Sequence, residues 1–289
     1  MAEKDLLEKN KYLRYRKTKS NLILILCVLM AIITIVPLLY IFFYTTASGF
    51  KFLSLDFITE MPKPVGETGG GMYNAIVGTL ILIGISSVIG IPIGILAGIY
   101  VAEYSGGLFS NIIKFVTDVL SGIPSIVIGI FAYTIVVMPM GGFSALSGGI
   151  ALGIIMIPTV IRITEEMLKL VPQSIREASL ALGISRWKTT LNIVLKTAMS
   201  GIITGILLAI ARIAGETAPL LFTAFGNQFF STSLDEPIAS LPIQIYNYAK
   251  SPYTDWHEQA WAGALILILL VFVINLIVRF FTKSKFTNS

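Results

Sequence analysis

The sequence predicts an all-α polytopic membrane protein with six transmembrane helices, and three observations predict it. Apolar residues make up 55% of the 289 positions and charged residues 13%, against about 25% charged in a water-soluble domain. So little charge cannot cover a soluble surface. Six apolar runs each approach the roughly 20 residues of helix needed to cross a hydrocarbon core about 30 Å thick, helix being the open-ended segment that satisfies its own backbone in lipid. Lysine and arginine, finally, fall almost entirely in alternate connections between those runs, the asymmetry expected of a multi-pass chain.

The elements follow in order. Residues 1–20 are a basic segment (Lys4, Lys9, Lys11, Arg14, Arg16, Lys17, Lys19). The first run, 21–44, exceeds the roughly 7–15 apolar residues of a signal-peptide core and is followed by no small-residue cleavage site, so it reads as an uncleaved helix. A loop, 45–72, ends in Gly69–Gly71, a turn before the second run. The remaining runs are 73–102, 110–138, 146–163, 198–225 and 260–282, which makes 73–282 one transmembrane domain and 283–289 a short tail. The fourth run is the shortest and contains Pro158; Pro37, Pro92, Pro124 and Pro219 lie in others. Proline removes a helix hydrogen bond, and in lipid the freed carbonyl needs a neighbouring helix or water. These prolines therefore either kink a packed bundle or loosen helices around a path.

Only Lys51, Lys63 and Lys250 occupy the loops 45–72 and 226–259, and Arg212 lies within a run. Every other lysine and arginine falls in 1–20, at Lys114, at Arg162, in 164–197 or in the tail (Arg279, Lys283, Lys285). The positive-inside rule thus puts both termini and the 164–197 loop in the cytoplasm. The opposite loops lean acidic (Asp56, Glu60, Glu67, Asp235, Glu236, Asp255, Glu258), either as solvated surface or as a place where a soluble partner docks. The net charge of +5 reflects this topology and not nucleic-acid binding.

Several activities drop out. Cys27 and His257 are the single cysteine and histidine, which excludes a disulfide framework and cysteine- or histidine-rich metal sites. No Gly-x-Ser-x-Gly or His-Glu-x-x-His occurs, so an intramembrane hydrolase has no support. A P-loop needs Gly-x-x-x-x-Gly-Lys-Ser/Thr; Lys188-Thr189 follows Trp187, without the glycines. The chain is expected to be no enzyme and to hold no cofactor, its energy coming from a partner or a gradient.

Two constellations remain. Arg212 lies roughly 21 Å from residue 198 along a helix rising about 1.5 Å per residue. An arginine near the bilayer centre costs at least about 2.5 kcal/mol on insertion scales and should face protein or water. Glu216 follows at i+4, on the same helical face. The two form either an ion pair that fixes packing or a site where a planar cation meets a crossing anion, with Glu216 keeping that anion from being trapped. The second constellation is the 164–197 loop, which reads as two helices around a turn. Ser174 and Glu177 have capping-box spacing, Gly183 would stop a helix over 175–182 in the C′ position, and Ser185 would cap the next helix. Ile175, Ala178 and Leu182 share one face, suited to another protein's groove or to a membrane surface.

The loop also resembles a known family. Glu177-Ala178-Ser179, Gly183, Ile193 and Leu195 carry the spacing of the EAA signature of ABC-importer permeases, with Ser179 in place of the third alanine and Lys196 in place of proline. Arg212-Ile-Ala-Gly-Glu-Thr-Ala-Pro-Leu-Leu-Phe-Thr-Ala224 is similar to the fifth helix of the A-type (PstA-type) permeases of phosphate importers, and residues 71–79 and 122–127 add further likeness. The resemblance implies a type I ABC importer permease fold in a bacterial or archaeal cytoplasmic membrane. Glu177, Ala178, Ser179 and Gly183 would then belong to a coupling helix that inserts into an ATP-binding subunit. It further implies a second, PstC-type permease, two PstB-type subunits that bind the ATP, and a PstS-type phosphate-binding protein outside. Open alternatives are a permease for another anion and a gradient-driven anion transporter; the latter leaves the long loop unexplained.

Overall fold

The computed structural model describes residues 2–64, 66–67 and 69–286, with side chains from 13 to 280. The side chains of Lys4, Lys9, Lys11, Lys283 and Lys285, and the end of the 283–289 tail, lie outside that description. Two units are described, 1–48 and 49–289.

The helices in chain order are α1 (Ala2–Phe50), α2 (Leu55–Thr59), α3 (Tyr73–Glu103), α4 (Leu108–Gly122), α5 (Ser125–Met140), α6 (Ala145–Lys169), α7 (Gln173–Ala181), α8 (Arg186–Ala214), α9 (Ala218–Leu221), α10 (Leu241–Ala249) and α11 (Thr254–Phe286). Five of them, α1, α3, α6, α8 and α11, are each long and apolar enough to cross a membrane. The helices α4 and α5, bent by 107° at their break, are long and apolar enough only together, and make a sixth span if counted as one. The only extended pairing among the described residues is an isolated bridge between Phe225 and Ile238.

The expected prolines therefore do two different things. Pro37, Pro92 and Pro158 sit inside unbroken helices. Pro124 and Pro219 mark breaks: Pro124 caps α5 where the 110–138 run divides, and Pro219 opens α9 after the 198–225 run has already ended at Ala214. A proline ring at 219 collides with the carbonyl of residue 215 in a continuous helix, so the chain turns at Gly215–Thr217.

In the 49–289 unit, α3 and α6 form the centre. A β-carbon on Gly94 would lie 2.6 Å from the Val160 side chain, and one on Gly98 would lie 2.6 Å from Thr164 and 2.8 Å from the Ile161 carbonyl. Small residues let the backbones meet, and packing is what drives helix association where lipid is as apolar as leucine. Leu82, Leu152, Met156, Val160, Ile213 and Leu220 fill the space among α3, α6, α8 and α9.

The two ends of this bundle are finished differently. At the end away from the 164–197 loop, the free amides opening α6 are all satisfied. Ala145 N–H donates to the Glu236 carbonyl and Leu146 N–H to the Leu234 carbonyl, both at 2.9 Å. Ser147 N–H donates to the Ser144 hydroxyl, and the Ser147 hydroxyl to the Thr223 carbonyl at 2.7 Å. At the loop end, ion pairs replace backbone stitching: Lys114 and Lys169 flank Glu165 at 3.3 and 2.5 Å, and Arg162 meets Asp118 at 2.6 Å.

Candidate functional site

The structure brings together each of the two constellations and keeps them apart from one another. Arg212 lies in the last turn of α8, two residues before the helix ends. Glu216 stands beyond that end, past the Gly215 cap, so the pair is not carried on a continuous helical face as the i+4 spacing predicts. The turn nevertheless returns Glu216 towards the arginine: Nε and Oε1 are 4.0 Å apart, the outer limit of an ion pair and too long for a hydrogen bond. Glu216 is the only ion-pair partner of Arg212 among the described residues. The arginine side chain is 51% exposed and the glutamate 17%. An arginine side chain left half exposed on a membrane-spanning unit needs water, a solute or another protein to meet its charge. Nearby, Gly129 of α5 packs against Pro219, where an added β-carbon would lie 2.6 Å from the proline α-carbon. The broken α4–α5 span thus rests against the broken end of α8.

In the loop, α7 begins at Gln173 with Pro172 as its N-cap. Ser174 falls inside the helix and the expected capping box with Glu177 does not form, because Pro172 already brings an extended backbone and accepts from Ile175 N–H at 3.2 Å. Gly183 does occupy C′, at φ +77°. Its N–H donates to the Leu180 carbonyl at 2.9 Å and Ile184 N–H to the Ser179 carbonyl at 3.3 Å, the paired bonds of a Schellman end. Ser185 is the N-cap of α8 through its backbone, without a side-chain cap bond. Ile175 and Leu182 are exposed, at 36% and 80%, and Glu177 and Ala178 are exposed with them. Ser179 is buried, its hydroxyl 2.8 Å from that of Thr189. The departure from alanine at this position thus has a structural use.

Two residues that the sequence did not single out belong with this site. Arg176 forms an ion pair with Glu103 at the end of α3, both side chains being largely buried, and donates to the Leu168 carbonyl at 2.8 Å. The available signal was a glutamate closing the second run and an arginine directly before Glu177.

Comparison with known proteins supplies the remaining findings. Residues 90–286 match the family described as binding-protein-dependent transport system inner membrane component. The phosphate transport system permease protein PstA of Yersinia pestis is 48% identical over 273 residues, covering 94% of this chain and 92% of that protein. The protein of the same name from Haemophilus influenzae is 46% identical, covering 96% and 99%. A probable counterpart in Methanocaldococcus jannaschii is 34% identical, covering 95% and 97%. Among solved structures, a chain of a bacterial ABC transporter involved in import of the acidic polysaccharide alginate superposes with a TM-score of 0.60 at 15% identity, covering 93% of this chain and 98% of that one. A chain of the inward-facing MetNI methionine ABC transporter gives 0.58 at 18% identity, covering 74% and 94%. At such identities these two speak for the fold, which is that of a type I ABC importer permease.

Proposed function

The chain belongs to the family of binding-protein-dependent transport system inner membrane components, and from that premise we propose that it is the permease subunit of an ATP-driven phosphate importer. The observation that carries the substrate is its identity of 46–48%, over nearly its whole length, with phosphate transport system permeases. It works in a complex with an ATP-hydrolysing subunit and an external binding protein. In our reading these are two PstB-type subunits and a PstS-type protein, with a PstC-type permease forming the other half of the path. ATP is bound by the partner, and the chain supplies no catalytic group.

The assignment of residues follows the two constellations. Arg212 offers its side chain to phosphate in the outer half of the span, and Glu216, near enough to weaken that attraction without sealing it, lets the anion leave. The exposed face of α7, with Glu177 and Ala178, enters a groove of the ATP-binding subunit, while Ser179 and Gly183 hold the helix in shape. Both termini and the 164–197 loop face the cytoplasm of a bacterial or archaeal cell, in agreement with the bias of lysine and arginine. The test is phosphate uptake into proteoliposomes holding the purified complex, with and without ATP. ATP-dependent uptake is expected; uptake driven equally by an imposed ion gradient in the absence of ATP would defeat the reading.

A further inference from the structure

The helix α7 has an unusual seat. Only Ser179 among its residues is buried, so no apolar core fixes its orientation. The side opposite Ile175 and Leu182, formed by Gln173, Arg176 and Leu180, lines a cavity of about 620 Å³ that also takes in Glu103 and Trp187. What holds α7 over that cavity is polar. One tie is the bond between the Ser179 and Thr189 hydroxyls, which joins α7 to the start of α8. The other is Arg176, whose Nη1 reaches the Glu103 carboxylate while Nη2 donates to the Leu168 carbonyl. One planar fork thus clasps the ends of α3 and α6 at once, which a single-point ammonium cannot do. Of the two ties, only this one reaches α3, and α3 is locked to α6 by the close approach at Gly94 and Gly98.

We propose that Arg176 is a positioning residue for transport: it fixes the angle at which α7 meets the ATP-binding subunit and passes the thrust received there to α3 and α6 as one body. The proposal rests on the reading of α7 as the coupling helix. Without the clasp, α7 still presents its exposed face and still docks, but it swings over the cavity about the Ser179–Thr189 tie. Hydrolysis then continues while less solute crosses per ATP.

The experiment measures phosphate uptake and ATP hydrolysis in the same proteoliposomes, for the complete complex carrying wild-type permease, R176Q, E103Q or the swapped pair E103R/R176E. Phosphate carried per ATP is expected to fall about tenfold in each single variant, the scale of one charge-assisted hydrogen bond. The swapped pair should recover about half of the wild-type ratio, since it restores the α3 contact but not the donation to Leu168. An unchanged ratio in R176Q and E103Q overturns the proposal, whether their rates are normal or equally reduced. So does a lowered ratio that the swapped pair leaves unrepaired. Should R176Q not assemble, R176K keeps the charge and loses the two-armed reach; a ratio lowered about threefold is expected, and a wild-type ratio counts against the clasp. Absence of ATP-dependent uptake in the wild-type vesicles would instead defeat the functional reading itself.

Discussion

Two arginine–glutamate pairs, one in each functional region, are built from the same groups and held in opposite ways. Arg212 and Glu216 stand 4.0 Å apart with the arginine side chain half exposed. Arg176 and Glu103 are both largely buried and in close contact, and a backbone carbonyl occupies the second arm of the fork. A guanidinium with unspent donors is free to bind something that comes and goes. One with both arms of its fork engaged is a strut. The distinction lies in geometry and not in residue type, so four residues of two kinds can serve the two purposes proposed for them.

The largest effect that tests this contrast is Arg212→Ala. Losing the cation that we propose meets the anion should reduce phosphate uptake by about 30-fold, the scale of a hydrogen bond to a charged group, while the complex still assembles. If the permease instead disappears from the membrane, Arg212 is a packing strut and the contrast dissolves. Glu177→Ala should weaken retention of the ATP-binding subunit by about tenfold, as expected for a polar contact within an interface; co-purification of the two subunits reads it directly. Glu216→Gln sharpens the comparison further. An exposed pair is worth about 0.2–1 kcal/mol, so turnover should slow no more than about fivefold. Sulfate, fully deprotonated where phosphate keeps a proton, should then compete with phosphate uptake; continued indifference to sulfate would show that Glu216 does not discriminate. Ser179→Ala should matter least, with uptake within about twofold of wild type. Thr189 keeps its bond to the Ser185 carbonyl at 3.3 Å, so no buried hydroxyl is orphaned.

The sequence made the apolar spans, the loop and its glycine stop legible because each has a local cause: apolar length, charge asymmetry, and a left-handed position that favours glycine. Two features escaped for non-local or competing reasons. Pro124 and Pro158 look alike in their apolar surroundings, yet one ends a helix and the other is absorbed by it, and only the packing around each decides. The capping box read from Ser174 and Glu177 was displaced by Pro172, one of several starts that the local spacing permits. At the site, Arg212 and Glu216 were found through their cost in lipid. Arg176 and Glu103 stand 73 positions apart and carry no such penalty at a membrane surface, so nothing in the chain announced their meeting.

The stitching at the head of α6 has a mechanical consequence. Main-chain amides and the Ser147 hydroxyl there donate to main-chain carbonyls of the 223–236 segment, so most of these bonds break only if the backbone itself moves. At the opposite end, long side chains span the gaps and can follow a displacement without letting go. The two ends therefore resist displacement unequally, the sewn one more firmly than the one bridged by pliant side chains.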